Sequence, residues 1–291
     1  MVVADASVVK GEGGGVSAAL LCALLLAAAC APSAVRAGRR AMARGDYDEA
    51  TEQFEVAAQA DPDDAARWRD LARAELLADR PAGARRAFAR MAALMPGDPH
   101  PVVEIGFAHE LERNYDRALE SYLRAVRTSP ESAYAYRVLG TRLLRWGRAD
   151  EALGPLQRSL ELEAHAETFK ALALARHGAG DRTGAIEAYE WGLETFTAHL
   201  GLRLGLAALL VNDGAFARAL AVYEGISQDV PGFAAAHAGR AILLHELGRE
   251  DEAEAAFERA AEVADGQGDY AERLETYRRL RADSAEAQTP R

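Results

Sequence analysis

Few residues in this chain have the type and spacing that catalysis or metal binding requires. His237 and His245 lie on one predicted helix but eight positions apart, about two turns, which is too far for both to bind one metal ion. The glycine-rich run Gly11–Gly15 follows no predicted strand and precedes no Lys-Ser or Lys-Thr pair, unlike a phosphate-binding loop. The sequence has no Gly-x-Ser-x-Gly elbow and no His-Glu-x-x-His motif. We therefore predict a protein that is not an enzyme, without catalytic residues, metal site or cofactor.

The N-terminal segment, residues 1–30, has the composition of a bacterial leader. No charged residue occurs between Glu12 and Arg36, and the apolar stretch Ala18–Ala31 is about 14 residues long. That length is typical of a signal peptide, whereas a membrane-spanning helix needs roughly 20 residues. Leu26-Ala-Ala-Ala-Cys30 resembles a lipobox, which is cut just before a cysteine that then carries lipid, although Ala27 stands where leucine is usual. We expect an exported, envelope-associated protein, either periplasmic or anchored to the membrane by lipid on Cys30.

The charges that flank this leader keep two other interpretations open. Lys10 is the only basic side chain before the apolar stretch, and Asp5 and Glu12 oppose it. Positive charge after the stretch resists translocation, and arginines follow it at Arg36, Arg39, Arg40 and Arg44. The alternatives are an uncleaved membrane anchor and an apolar helix that caps a cytoplasmic protein.

The composition favours helices and argues against nucleic-acid binding. The 291 residues include 45 acidic and 34 basic side chains, a formal net charge of -11. Such a balance is unfavourable for a general nucleic-acid surface. Both cysteines, Cys22 and Cys30, lie in the leader, so the rest of the chain has no disulfide framework and no cysteine-ligated metal. Good helix formers, chiefly alanine, leucine, arginine and glutamate, dominate it.

After the leader, the chain is organised by an internal repeat. An alanine recurs with gaps of 34, 34, 34, 33, 34 and 34 residues, at Ala50, Ala84, Ala118, Ala152, Ala185, Ala219 and Ala253. Four residues after each alanine comes a large apolar side chain: Phe54, Phe88, Tyr122, Leu156, Tyr189, Tyr223 and Phe257. Before the alanine, apolar residues three and four apart make one stripe on a helix, as in Trp68-x-x-Leu71-Ala72.

These spacings predict two antiparallel helices in each repeat. Glycine or alanine at the eighth and twentieth positions lets the two helices approach closely, and the large residue four positions later fills the space before the next pair. Glycine separates the two helices at Gly45, Gly147, Gly180, Gly214 and Gly248. Proline ends the second helix at Pro62, Pro96, Pro130 and Pro231. No unit can bury its apolar stripe alone, so the units must stack.

This pattern resembles the tetratricopeptide repeat (TPR) over residues 31–265. The resemblance implies an all-α fold, a right-handed superhelical solenoid of about seven helix-turn-helix repeats. Repeats 5 to 7 depart most, because Arg203 and His237 replace a large apolar residue and Arg240 replaces an apolar one. We further predict an amphipathic capping helix at 266–282 and a disordered tail at 283–291.

The resemblance also implies where a partner binds. In TPR proteins the first helix of each pair lines a concave groove that accepts extended peptides or helices. The matching positions in repeats 2 to 5 include Arg69, Arg73, Phe107, Tyr134, Arg137, Arg145, Lys170 and His177. Five of these are lysine or arginine, against two acids at groove positions, Glu110 and Glu167. We therefore expect an acidic partner segment. The asparagines with which some TPR proteins hold a chaperone's C-terminal carboxylate are missing.

The sequence thus predicts a non-catalytic scaffold or adaptor that binds a protein or peptide, and no nucleic acid, in a bacterial envelope complex. A cytoplasmic adaptor in regulation or assembly is the alternative. An enzyme is the most distant possibility, since it would need polar residues converging on a pocket in a domain outside the repeats.

Overall fold

A computed structural model of the protein describes the backbone of residues 32–288 and the side chains of residues 32–283. Within this part of the chain every regular element is an α-helix, and no strand occurs. The predicted leader, including Cys30, lies outside the described residues, as do residues 289–291 of the predicted tail. None of the described helices is both long and apolar enough to cross a membrane.

The helices fall into two compact units that meet in sequence between Pro130 and Glu131. The first unit contains α1 (32–44), α2 (Tyr47–Ala60), α3 (Ala65–Leu77), α4 (Pro81–Leu94), α5 (His100–Leu111) and α6 (Tyr115–Thr128). The second contains α7 (Ala133–Arg145), α8 (Ala149–Leu162), α9 (Ala166–Gly178), α10 (Arg182–Thr195), α11 (Leu200–Asn212), α12 (Phe216–Asp229), α13 (Ala234–Glu246), α14 (Glu250–Ala264) and α15 (Tyr270–Gln288).

Within each unit the helices pack in chain order. Helices α2 to α6 each contact the next, and so do α7 to α15. In the second unit α9 also lies against α7 and α11, so first helices of neighbouring repeats are side by side. The helices form seven pairs, α1–α2 to α13–α14, with α15 at the end. The predicted all-α repeat fold is confirmed.

The repeating alanine marks the tightest contact of each pair. All seven, from Ala50 to Ala253, have no exposed surface. Opposite them the first helix carries another small residue, and its backbone lies directly against the large residue of the second helix. A Cβ atom added to Gly140 would lie 2.5 Å from Leu156 Cγ, and one added to Gly38 would lie 2.8 Å from Phe54 Cε1. Gly106 faces Tyr122 in the same way.

The same large residue also meets the following repeat. An added Cβ at Gly205, on α11, would lie 2.5 Å from the ring of Tyr189 on α10. Gly239, on α13, faces Tyr223 of α12 at 2.7 Å. The large side chains of the second helices therefore pack closely against the first helix of their own repeat in some repeats and against that of the next repeat in others, so this position joins repeats as well as helices. This is the role that the sequence predicts for it.

The turn between the two helices of a pair needs a residue in the left-handed backbone region. The five glycines predicted there all have φ between 73° and 86°. In repeats 2 and 3 the same position is taken by Asp79 (φ 56°) and Arg113 (φ 58°). A side chain in this region costs roughly 1–2 kcal/mol. Every repeat therefore has the same left-handed turn, including the two repeats in which another residue replaces glycine.

At the fourth position of a repeat, the two residues that break the sequence pattern each form the same kind of hydrogen bond as Trp68, which keeps it. Arg203 Nε donates to the Thr197 carbonyl at 2.8 Å, and His237 Nε2 lies 2.9 Å from the Pro231 carbonyl, to which it must donate. Trp68 Nε1 donates to the Pro62 carbonyl at 2.8 Å. Each partner lies six residues earlier, in the turn before the first helix. The departures at Arg203 and His237 thus preserve the contact that anchors this turn.

The terminal helix differs from the prediction at both ends. It begins at Tyr270 and ends at Gln288, so residues 283–288, predicted as part of a disordered tail, are helical. Its last residues include alanine, glutamate and glutamine, which are good helix formers, and the nearest proline is Pro290. Tyr277 packs its ring against Phe257 with centroids 4.9 Å apart and donates a hydrogen bond to Glu250. Arg278 and Arg281 bind Glu254.

Replacing Ala118 by arginine tests the helix contact. The change overpacks a position with no exposed surface, which costs about 1–3 kcal/mol, and it buries a charge, which adds to that cost. We expect the free energy of unfolding, measured with urea, to fall by at least about 3 kcal/mol. Ala89→Arg, at an exposed position of α4, is the matched control and should change little. Equal stability of the two variants would contradict the described packing.

Replacing Arg113 by glycine tests the turn. The free energy of unfolding should rise by about 0.5–1 kcal/mol, because relief of the left-handed strain exceeds the entropy that glycine adds to the unfolded chain. The reciprocal change Gly147→Ala should lower it by about 1 kcal/mol. Thermal unfolding followed by circular dichroism measures both effects. If both variants moved stability in the same direction, the equivalence of these two turn positions would be wrong.

Candidate partner-binding surface

In the first unit the predicted groove residues lie on α3 and α5. Arg69 and Arg73 are one turn apart on α3, and both side chains are exposed. Arg69 lies 3.8 Å from Asp70, whose carboxylate is also 3.7 Å from Arg39. Arg73 forms no ion pair within residues 32–283. Its guanidinium is thus available to bind a carboxylate through two hydrogen bonds.

Arg73 separates two hollows. The one between α3, α4 and α5, which we call the methionine hollow, has a volume of about 500 Å³. Its floor is apolar and consists of Leu76, Phe88, Met91, Met95 and Pro101. Its charged or polar rim consists of Arg69, Arg73, Asp98, His100 and Glu104. The other hollow, about 440 Å³, lies towards α1 and is lined by Arg39, Met42, Ala43, Tyr47, Phe54, Asp70, Arg73 and Leu77.

The rim of the methionine hollow has opposite charges on opposite sides. Arg69 and Arg73 lie on α3, whereas Glu104 lies on α5 and Asp98 just before it. Asp98 accepts hydrogen bonds from the backbone N–H of His100 at 2.9 Å and pairs with His100 Nδ1 at 2.7 Å. Asp98 is therefore held by the start of α5, while the two arginines line the opposite, α3 side of the hollow.

Phe107, the third predicted residue in this unit, is only half exposed. Its ring contacts Tyr122 edge-to-face, with centroids 5.6 Å apart. Glu110, one of the two acids counted at groove positions, accepts a hydrogen bond from the Tyr122 hydroxyl at 3.0 Å. Both residues therefore support the α5–α6 contact in addition to any role towards a partner.

In the second unit the predicted residues lie on α7 and α9. The Arg137 guanidinium stands over the Tyr134 ring, 5.7 Å from its centroid. Lys170 Nζ is paired with Glu167 at 3.2 Å, and Glu167 also lies 4.0 Å from His199. Arg145 and His177 are exposed. The positive surplus in this unit therefore rests on Arg137 and Arg145, because Glu167 offsets Lys170.

Two ionisable side chains are buried in the first unit away from the groove. The Glu75 carboxyl lies over Gly83, where any Cβ would collide with it, and burial raises the pKa of Glu75 against the opposing effect of Arg80. Burial and the nearby Arg85 charge lower the pKa of His109. Both side chains are about nine-tenths buried and neither is a predicted groove residue, so we assign them no part in binding. No set of three or more histidine, cysteine or acidic side chains within the described residues is placed to hold a metal ion.

Met91 and Met95 line the methionine hollow, and the sequence prediction did not include them. They belong to the end of α4 and its C-cap, a second helix, whereas the resemblance pointed only to first helices. Their one sequence signal is the spacing of four residues just before Pro96 and the turn into α5. That signal does not show that the side chains face the gap between α3 and α5.

Family models for the tetratricopeptide repeat match residues 41–101, 112–167 and 210–276, more than half of the chain taken together. No curated protein matches the chain. Among solved structures it is similar to the C-terminal part of a TPR repeat-containing protein from Cytophaga hutchinsonii, at 14% identity and a TM-score of 0.63 over 81% of this chain and 98% of that one.

Two further solved structures share the fold. A tetratricopeptide repeat protein from Parabacteroides merdae has 15% identity and a TM-score of 0.53, over 85% of this chain and 98% of that one. YrrB, described as a TPR protein with an unusual peptide-binding site, has 17% identity and a TM-score of 0.50, over 63% of this chain and 95% of that one. At such identities the likeness extends to the fold alone. With its seven helix pairs and the matching family models, the chain belongs to the tetratricopeptide-repeat family.

Proposed function

We propose that this protein is a non-catalytic scaffold that binds an acidic segment of another protein on the first helices of its repeats. The observation that carries the proposal is Arg73, an exposed arginine without an ion pair in the described part of the chain, placed between two hollows. The family is one of protein-binding adaptors, and YrrB, with the same fold, has a peptide-binding site.

The chemistry of the surface fits a carboxylate ligand. A guanidinium binds a carboxylate through two parallel hydrogen bonds, which gives direction as well as affinity. Exposed charge pairs weaken as salt rises, whereas apolar contacts in the neighbouring hollows do not. Binding should therefore decrease with ionic strength without disappearing. In the second unit Arg137, supported by the Tyr134 ring, offers the same chemistry.

Charge reversal on α3 tests this function. The full chain with Arg69→Glu and Arg73→Glu should recover its partner at least about tenfold less than wild type in affinity purification from native membranes, measured by quantitative mass spectrometry. A second variant, Arg137→Glu with Arg145→Glu, tests the second unit separately. Helicity by circular dichroism should remain unchanged, since all four side chains lie on the surface or half-exposed.

The control for charge reversal is Arg124→Glu with Arg127→Glu, on the exposed side of the second helix α6. It makes the same change in net charge away from the first helices. Partners that bind the α3 and α7 variants as strongly as wild type would contradict the proposal, and the second helices or the turns would then carry binding.

We further propose that the protein is exported and tethered to the membrane by lipid on Cys30, so that the scaffold works in the envelope. The apolar stretch and the Leu26-Ala-Ala-Ala-Cys30 motif support this. An uncleaved anchor and a cytoplasmic adaptor remain the alternatives, since arginines follow the stretch from Arg36 onward.

Labelled palmitate tests the tether. The protein should incorporate the label and fractionate with membranes, and Cys30→Ala should abolish the labelling. Cys22→Ala is the matched control and should leave it intact, because Leu21 stands where cleavage needs a small residue. Membrane protein without label would favour the uncleaved anchor. A soluble cytoplasmic protein that retains Met1 would rule out export.

A further inference from the structure

The methionine hollow has the properties of a subsite for one side chain of a partner. Its volume of about 500 Å³ lies within the range of ligand pockets, and its floor is formed by five apolar residues. Two of them, Met91 and Met95, are flexible and polarisable and adapt to differently shaped apolar groups. The floor is continuous with the first unit's core, because Met91 packs against the cluster that contains Phe88 and Leu71.

The rim restricts what lies next to that apolar group. Arg69 and Arg73 supply positive charge on the α3 side, and Arg73 forms no ion pair within the described residues. Asp98 and Glu104 supply negative charge on the α5 side. A carboxylate beside the apolar group is therefore attracted to one side only, and this fixes the orientation of the ligand.

We infer that the methionine hollow accepts a large apolar side chain of a partner peptide, leucine, methionine or phenylalanine, whose neighbouring acidic residue binds Arg73 and Arg69. This inference rests on the proposed function and narrows its partner to a peptide in which an acidic residue and a large apolar residue are adjacent or nearly so. The carboxylate supplies direction, and the apolar side chain supplies the part of the affinity that salt does not screen.

Selection from random dodecamer peptides displayed on phage tests the inference with the full chain as bait. Enriched peptides should carry aspartate or glutamate within two positions of leucine, methionine or phenylalanine. In fluorescence polarisation, replacing the apolar residue of such a peptide by alanine should weaken binding at least about tenfold. Replacing the acid by its amide should weaken it about fivefold or more and reduce the salt dependence.

NMR signals of the methionine methyl groups test where the peptide binds on the protein. The chain has four methionines, Met1, Met42, Met91 and Met95. In a protein labelled with ¹³C in the methionine methyl groups, bound peptide should shift Met91 and Met95. Met42, which lines the hollow towards α1, is the internal control and should shift less.

Glu104→Gln should strengthen binding of the peptide a few-fold, because it removes a negative charge opposite the arginines.

The outcomes separate this inference from the proposed function. Selected peptides that need Arg69 and Arg73 but tolerate alanine for the apolar residue would overturn the inference and leave the acidic-segment function intact. Peptides that shift Met42 in place of Met91 and Met95 would do the same. Peptides that bind the Arg69→Glu, Arg73→Glu variant as well as wild type would overturn both. A selection that enriches nothing above a bare-support control would also count against the inference.

Discussion

The close contact between a small residue on one helix and a large residue on the next is the constraint on which this structure depends. Gly106 lies against Tyr122 and Gly140 against Leu156 so closely that neither position has room for a Cβ atom. The repeating alanines are sealed from solvent at the same level of every pair. Because protein interiors are close-packed, a larger residue at these positions would move the helix rather than fit beside it. The contact thus sets the separation of the helices, and its recurrence along the chain sets the repeat.

This contact also decides which side chains are available for binding. Ala72 is buried against the second helix, and the next residue on α3, Arg73, is about 100° further round the helix and therefore faces outward. Arg69, one turn earlier, lies on the same side. These two positions are not used for helix packing, so exposed guanidinium groups can occupy them. The apolar floor beside them comes from the end of α4, where Met91 and Met95 reach beneath the gap between α3 and α5.

The repeat preserves geometry more strictly than residue type. Trp68, Arg203 and His237 differ in size and charge, yet each directs a side-chain nitrogen to the carbonyl six residues earlier. Asp79 and Arg113 adopt the left-handed turn that glycine adopts in the other five repeats. In both cases the packing of the helices on either side determines the backbone conformation. The residue at that position adopts this conformation even where it carries a small conformational strain.

The sequence by itself determined the helix pairs, their register and the buried face, because the spacing of Ala50 to Ala253 and of the large residues after them reflects contacts made within a repeat or with the next one. It also placed Arg69, Arg73, Arg137 and Arg145 at the surface of first helices. It misjudged the terminal helix, whose end at Gln288 depends on weak local propensities rather than on a repeated contact. Only the tertiary structure decided the charge contacts between helices, because Asp70 beside Arg39 and Asp98 across the methionine hollow from Arg73 are far apart in the sequence. The Glu167–Lys170 pair, three residues apart on α9, is local by comparison. The methionine hollow likewise exists only once three helices are packed, since its floor and its rim come from different elements.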